Sequence, residues 1–167
     1  MGETRRALLR IEQAGYGDPD VVRLVAAVQE EYVERYGGPD ETPLDPLMFV
    51  PPAGSFFVGY EDGEPVAMGA WRRREVPALG ATDPAEIKRM YVVPPARGRG
   101  HARAVLAHLE TTAAAAGVDA LVLETGEAQP EAIALYESAG YVPVAGFGLY
   151  RDSPLSRYYG RRLTPSA

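Results

Sequence analysis

Two glycines and three arginines are concentrated in a short segment that separates an apolar stretch from an amphipathic one. The segment reads Arg97-Gly98-Arg99-Gly100-His101-Ala102-Arg103. The first amides of a helix have no intrahelical acceptor and lie at the positive end of its dipole. Glycine lets the main chain approach an anion closely, and arginine adds charge-assisted hydrogen bonds to phosphate. The segment therefore predicts a phosphate or pyrophosphate cradle.

Other glycine-rich phosphate sites fit this segment less well. A P-loop ends in Gly-Lys-Ser/Thr, and that ending is absent here. The dinucleotide fingerprint needs a glycine where Arg103 stands, and it usually follows the first strand of its fold. For the segment taken alone, a tight strand-to-helix turn with solvated arginines remains the alternative.

Metal and thiol chemistry have little support in the residue types present. The chain has no cysteine, so a cysteine nucleophile is excluded and any group transfer would proceed by direct attack of one substrate on the other. The two histidines, His101 and His108, are seven residues apart on one predicted helix, whereas helical metal ligands are typically four apart. With no carboxylate partner evident, we expect both histidines to face solvent and no metal to bind.

Strand and helix patterns alternate along the chain in the order β-α-β-β-β-α-β-α-β-β. The predicted strands cover 5–12, 56–60, 65–71, 87–93, 121–124, 141–144 and 158–163. Helices are predicted over 19–36 and 98–116, and a short one begins at Pro130.

These patterns predict one α/β domain over residues 1–167. The strand–helix–strand unit over 87–124 implies parallel pairing through a right-handed crossover. The hairpin around Asp62-Gly63 implies antiparallel pairing. We therefore expect a mixed central sheet of six to seven strands flanked by helices, with no linker or repeat that divides it.

Charge and hydropathy indicate which kinds of partner and which cellular location to expect. The 23 acidic and 17 basic residues give a net charge of −6, which argues against nucleic acid as the main partner. No segment is long and apolar enough for a signal peptide or a membrane span, so a cytoplasmic location without a membrane partner is expected. A homodimer is compatible with the sequence but is not indicated by it.

The segment from Glu86 to Ala102 resembles the central motif of the GNAT superfamily of N-acetyltransferases. That motif has the form (Q/R)-x-x-G-x-(G/A), here Arg97, Gly100 and Ala102, after a strand that opens with an acidic residue. A second signature, over residues 124–141, resembles the family's strand, short tyrosine-bearing helix and Gly-Tyr. Together the two motifs span about a third of the chain.

This resemblance implies acetyl-CoA as the acetyl donor, an amine on a small molecule or peptide as the acceptor, and no metal. Main-chain groups of Tyr91, Val92 and Val93 would hold the pantetheine arm like an added strand. The amides from Arg97 to Arg103 would hold the pyrophosphate. Gln129 stands where the family usually has asparagine before the short helix, and it is expected to contact the cofactor.

The resemblance also implies the residues that move protons. Tyr136 matches the general acid that protonates the departing thiolate, although it would also fit as an aromatic that packs on the sheet. Glu86 matches the acidic residue that serves some relatives as the base. A strand-edge carboxylate is the alternative role for Glu86, and Glu124 or a water relay are its rivals as base.

The acceptor pocket is expected to lie between the segments 37–54 and 145–159. The aromatic and basic residues near the C-terminal end either line that pocket or pack beneath it: Tyr150, Arg151, Tyr158 and Tyr159. A coenzyme A-binding module without turnover, acting as a sensor or interaction partner, is the alternative function.

Overall fold

The computed structural model describes residues 8–164. Its strands are β1 (Arg10–Gln13), β2 (Gly54–Glu61), β3 (Glu64–Arg73), β4 (Pro84–Val92), β5 (Ala120–Gly126), β6 (Val142–Pro143) and β7 (Ser156–Arg162). The α-helices are α1 (Pro19–Tyr36), α2 (His101–Ala115) and α3 (Pro130–Ser138), and 3-10 turns lie at Pro46–Phe49 and Pro94–Ala96. The predicted element order is confirmed. The first predicted strand, 5–12, lies partly outside the described residues; within them, β1 begins at Arg10 and ends at Gln13.

The strands form one mixed sheet in the order β1-β2-β3-β4-β5-β7-β6. Among the described strands, only β4 and β5 pair in parallel, and α2 is the crossover between them. The pairs β1–β2, β2–β3, β3–β4, β5–β7 and β6–β7 are antiparallel. The expectation of a mixed sheet with one parallel crossover is therefore confirmed.

Helices cover both faces of this sheet. Neighbouring residues of a strand point to opposite faces, so each strand can pack against a helix on either side. Phe56 packs with α1 on one face, where Val21, Leu24 and Val28 are buried. Phe57, the next residue, packs with α2 on the other face. The α2 residues buried there are Val105, Leu106, Leu109 and Ala113. Each fully buried aliphatic side chain contributes about 1.5–3 kcal/mol relative to an exposed one.

Helix α1 begins and ends where its sequence signals predict. The Asp18 carboxylate accepts a hydrogen bond from the amide of Asp20, and Pro19 occupies the first helical position. Gly37 ends the helix with a left-handed φ of 80°. None of the described helices has the length and apolar content needed to cross a bilayer.

The pairing between β4 and β5 stops after three residue pairs, the last of which joins Glu86 to Val122. Beyond it, β4 continues to Val92 and β5 to Gly126, but no further pairs join the two strands. The strand β5 keeps its other partner, β7, as far as the Gly126–Ser156 pair. A gap therefore opens in the middle of the sheet.

A bulge in β4 lies next to this gap. Its register against β3 shifts between Met68 and Ala70, which pair with Tyr91 and Lys88. The extra residue falls near Arg89, whose φ of 59° is left-handed. Such a bulge turns side chains away from strict alternation, so adjacent residues can serve the same surface.

Candidate active site

Two clefts meet at the gap between β4 and β5. The cradle cleft, of about 400 Å³, extends from Arg97–Arg103 to Tyr136. The tyrosine cleft, of about 440 Å³, is bordered by the side chains of Tyr32, Tyr36 and Tyr150. Six residues line both clefts and form their shared wall: Tyr32, Ile87, Arg89, Glu124, Thr125 and Gln129.

The glycine-rich segment keeps its main-chain amides accessible. Gly98 and Gly100 have left-handed φ values of 79° and 81°, and a Cβ at either would meet no atom within 4 Å. Helix α2 therefore begins at His101 rather than at the predicted Gly98. Its first hydrogen bond runs from the Ala104 amide to Gly100, at 3.0 Å. Within residues 8–164, no hydrogen bond uses the amides from Gly98 to Arg103.

The arginines of the segment, by contrast, already have protein partners. The Arg97 guanidinium donates to the Val92 carbonyl at 2.9 Å and to Glu31 at 2.8 Å. Arg99 pairs with Glu61, and Arg103 donates to Ser138 Oγ at 2.8 Å. The main-chain amides are thus the donors of this segment that no described residue engages.

The prediction that both histidines face solvent is wrong. His101 is 3% exposed, and its Nε2 contacts the Glu61 carboxylate. His108 is half-buried, with its ring edge-on to Phe57 at a centroid distance of 4.6 Å, and burial lowers its pKa. Glu61 lies on β2, and only the folded sheet brings it to α2. Among residues 8–164, no group of three His, Cys, Asp or Glu side chains could hold a metal.

The main chain of β4 has an open edge along the cradle cleft. Tyr91 and Val92 line this cleft, where none of the described strands pairs with β4 on the β5 side. The Val93 amide instead donates to Val66 at 2.9 Å, and the Val92 carbonyl already accepts from Arg97. An extended ligand could still add alongside this edge, as a peptide does in strand addition.

Tyr136 lies on α3 and lines the cradle cleft. The residue is 5% exposed, and its ring meets Tyr141 edge-on at a centroid distance of 5.7 Å. Burial raises the pKa of the Tyr136 hydroxyl, so that group stays protonated at neutral pH. The residue therefore packs as an aromatic and also presents a neutral proton donor in the cleft lining.

The two carboxylates considered from the sequence occupy different surroundings. Glu86 is 1% exposed and forms ion pairs with Arg74 at 2.8 Å, Arg72 at 3.1 Å and Lys88 at 3.7 Å. Neither cleft is lined by Glu86. Glu124 lies on the shared wall and accepts a hydrogen bond from Ser156 Oγ at 3.0 Å. Burial raises the pKa of Glu124 above its ordinary value.

Gln129 also lies on the shared wall, directly before α3. Its Oε1 accepts from Thr125 Oγ1 at 3.1 Å, and its own carbonyl accepts from the amide of Ile133 at 3.2 Å. The side-chain NH₂ group of Gln129 forms no hydrogen bond with the described residues. This amide is consequently oriented by Thr125 and keeps a donor for a ligand.

The tyrosine cleft receives residues from both segments that were expected to shape the acceptor pocket. The first contributes 37–41, and the second contributes Tyr150, Ser153, Leu155 and Ser156. The Tyr150 hydroxyl accepts from the Glu41 amide at 2.9 Å and joins the two segments. Tyr158 and Tyr159 are buried in the protein core instead. The C-terminal aromatics therefore divide between lining and packing.

Sequence reasoning assigned no role to Lys88 and Arg89, yet both line the tyrosine cleft. The Arg89 side chain is only 5% exposed and lies on the shared wall. The available signal was the pair of adjacent basic residues inside a strand that is otherwise apolar. Strand alternation would send one of them to each face, and the bulge overrides that expectation.

Comparisons with known proteins agree with this architecture. Residues 25–141 match the model of the Acetyltransferase (GNAT) family. Over 143 residues the chain is 34% identical to an IAA acetyltransferase of Azospirillum brasilense, covering 86% of this chain and 90% of that protein.

Solved structures share the fold. A proposed acyl-CoA N-acyltransferase of Klebsiella pneumoniae superposes with a TM-score of 0.75 at 30% identity, covering 95% of this chain and 99% of that one. A GNAT acetyltransferase of Elizabethkingia anophelis with acetyl-CoA bound superposes with a TM-score of 0.65 at 14% identity, covering 93% and 98% of the two chains.

The open glycine segment generates a test with a matched control. Gly100→Ala should weaken coenzyme A binding at least tenfold, because the new methyl group enters the space above the amides. Gly117→Ala, at the other end of α2, has a comparable left-handed φ and equally open surroundings. Each variant should lose about 1–2 kcal/mol of stability from the left-handed strain. Calorimetry measures the affinity for coenzyme A, and thermal melts measure the loss of stability. Equal coenzyme A affinity in both variants would contradict the assignment of this segment as the pyrophosphate cradle.

Proposed function

This chain belongs to the GNAT acetyltransferase family, and on that premise we propose that it transfers an acetyl group from acetyl-CoA to a primary amine. The transfer proceeds by direct attack while donor and acceptor are bound together. The observation that carries this proposal is the row of unengaged amides from Gly98 to Arg103, which continues into a cleft containing Glu124 and Tyr136. The family uses acetyl-CoA as its donor.

The cradle cleft would hold the donor. The helix dipole and the amides of α2 favour the pyrophosphate at the glycine segment. The open edge of β4 at Tyr91 and Val92 would align the pantetheine arm, and the Gln129 amide would contact it across the cleft. When bound, acetyl-CoA supplies the acetyl thioester whose carbonyl carbon accepts the amine nitrogen as the carbon–sulfur bond breaks.

Two residues of the chain would move the protons. An acceptor ammonium loses two protons in forming an amide: one to a base before attack, and one after the new bond forms. We assign the first to Glu124, because its raised pKa makes it a better base than an ordinary glutamate. Tyr136 gives its hydroxyl proton to the departing sulfur and recovers one from the second deprotonation. The products are an amide, a free thiol and one released proton.

The tyrosine cleft would hold the acceptor. It meets the cradle cleft at Glu124, so an amine entering from this side reaches the base and the thioester carbonyl together. Bringing two reactants into one oriented site removes much of the entropic barrier to their reaction. A cysteine-free chain has no thiol with which to form an acyl-enzyme.

The activity is tested by incubating the protein with acetyl-CoA and a panel of primary amines. Free thiol should appear only when both substrates are present, and mass spectrometry should show an acetylated amine. Calorimetry with coenzyme A runs in parallel. Tight binding of coenzyme A without thiol release from any amine would favour the coenzyme A-binding module. Absence of coenzyme A binding would contradict both the acetyltransferase and the binding module.

Tyr136→Phe should lower kcat by about 10²–10⁴-fold, the typical contribution of general acid–base catalysis. The Kd for coenzyme A should change little, because the aromatic ring and its packing on Tyr141 are retained. Stopped-flow thiol release and calorimetry measure the two quantities. A Tyr136→Phe enzyme with unchanged kcat would remove this hydroxyl from the reaction.

Glu124→Gln and Glu86→Gln distinguish the two candidate bases. Glu124 must be ionised to accept a proton, so kcat/KM should fall as pH decreases through its raised pKa, above the ordinary value of 4.5. Glu124→Gln should remove that acidic limb and lower the rate by about 10²–10⁴-fold.

Glu86→Gln should keep the acidic limb and lose stability instead. Breaking a buried ion pair costs about 3–5 kcal/mol, and Arg72 and Arg74 both lose their partner here. The pH profile is recorded below the melting temperature of each variant. If Glu86→Gln removes the acidic limb while Glu124→Gln retains it, the base is Glu86.

A further inference from the structure

Resting on the proposed function, we propose that the amine acceptor also carries a carboxylate and that Arg89 binds this carboxylate in the tyrosine cleft. The substrate class would then be amino acids and related compounds. Four observations carry the proposal: the burial of Arg89, its unsatisfied donors, the weakness of its protein partners and its place on the shared wall that also contains Glu124.

Arg89 is a buried cation with free hydrogen-bonding capacity. Its side chain is 5% exposed, and its Nε and Nη1 have no hydrogen-bond partner within residues 8–164. The nearby Arg72 and Arg74 both bond to the Glu86 carboxylate. Buried guanidinium groups are almost always paired, since unmade hydrogen bonds are costly away from water. The Arg89 guanidinium is therefore ready to receive an anion with two acceptor oxygens.

The neighbouring groups of the protein do not fill this role. The Asp40 carboxylate lies 3.8 Å from Arg89 Nη1, which is beyond hydrogen-bonding distance, and its Oδ1 accepts from the Thr42 amide at 2.9 Å. Tyr32 is close enough for the charge of Arg89 to act on its hydroxyl. Burial nevertheless raises the pKa of Tyr32 to about 12, so it remains neutral. Asp40 balances the charge at a distance and leaves the donors unused.

The location of Arg89 matches the requirements of an acceptor site. Its left-handed φ of 59° is strained for a residue with a side chain, and such strain is concentrated at functional sites. Arg89 lies on the same wall as Glu124, so a carboxylate on the guanidinium would direct a nearby amine toward the base. Lys88 also lines the cleft, but it is paired with Glu86 at 3.7 Å, which leaves Arg89 as the candidate partner for an anion.

The cleft also indicates which amino acids fit. Tyr32, Tyr36, Ile87 and Leu155 supply apolar and aromatic surface around Arg89. Pockets of this composition fix orientation with a few polar groups and bind the remainder by apolar contact. Amino acids with aromatic or branched aliphatic side chains are therefore preferred over small or charged ones.

The test compares amino acids with their α-carboxamides, which keep the amine and the side chain but lose the negative charge. Phenylalanine and leucine, each paired with its amide, are titrated calorimetrically into protein saturated with coenzyme A. Thiol release from acetyl-CoA is followed with the same four compounds. The variants are Arg89→Gln and Arg89→Lys. Arg23→Gln is the control, because it removes one positive charge from an exposed site on α1.

Wild type and Arg23→Gln should bind the carboxylates about 10- to 100-fold more tightly than the amides, as expected for charge-assisted hydrogen bonds. Arg89→Gln should abolish that preference while the Kd for coenzyme A is unchanged. Arg89→Lys should retain part of the preference without the two-donor geometry of arginine. Thermal melts verify that each variant is folded.

Equal binding of acids and amides, no binding of either, or a preference that survives Arg89→Gln would overturn the inference. A loss of coenzyme A affinity in Arg89→Gln would also overturn it, by assigning Arg89 to the donor. Thiol release with amides as readily as with acids would sink the inference and leave acetyl transfer standing. Arg89-dependent carboxylate binding without thiol release from any amine would instead support the site and reject acetyl transfer.

Discussion

The end of the β4–β5 ladder at Glu86 and Val122 is the constraint on which the site depends. Paired strands lie about 4.8 Å apart and leave no room for a ligand between them. Once these two strands separate, one main-chain edge, two clefts and the start of α2 face a common opening. The strand β5 remains anchored by β7, while β4 carries a bulge and stays paired with β3. The opening is therefore built into a sheet that remains continuous on both sides.

Charged side chains cluster at the point where β4 and β5 separate. Glu86, the last residue of β4 that pairs with β5, is surrounded by Arg72, Arg74 and Lys88. A buried carboxylate is tolerated only with such partners, and removing one partner leaves an uncompensated charge. The arrangement joins β3 to β4 where the parallel ladder stops. Glu86 thus has a structural role that is independent of its candidacy as the base.

Local signals accounted for the limits of α1 and for the place of the glycine-rich segment before α2. The helix signals at Asp18, Pro19 and Gly37 depend on contacts within a few residues of the chain. The start and end of α1 could therefore be predicted from them. The glycine segment is similar, because the free amides belong to the first turn of α2. The start of α2 was misplaced by three residues, since both Gly98 and Gly100 take left-handed conformations that a helix cannot include.

The element order, the mixed sheet, the limits of α1 and the family resemblance could all be predicted from the sequence, because each depends on short-range periodicity, caps or contiguous motifs. Which distant groups meet depends on the tertiary structure. His101 was expected in solvent, but Glu61, forty residues earlier, covers it. Glu124 reaches the shared wall and Glu86 does not, although both end up on adjacent strands. Arg89 lines the clefts because the bulge in β4 changes the direction of its side chain. That bulge depends on the register between β3 and β4, which the sequence of either strand alone does not specify.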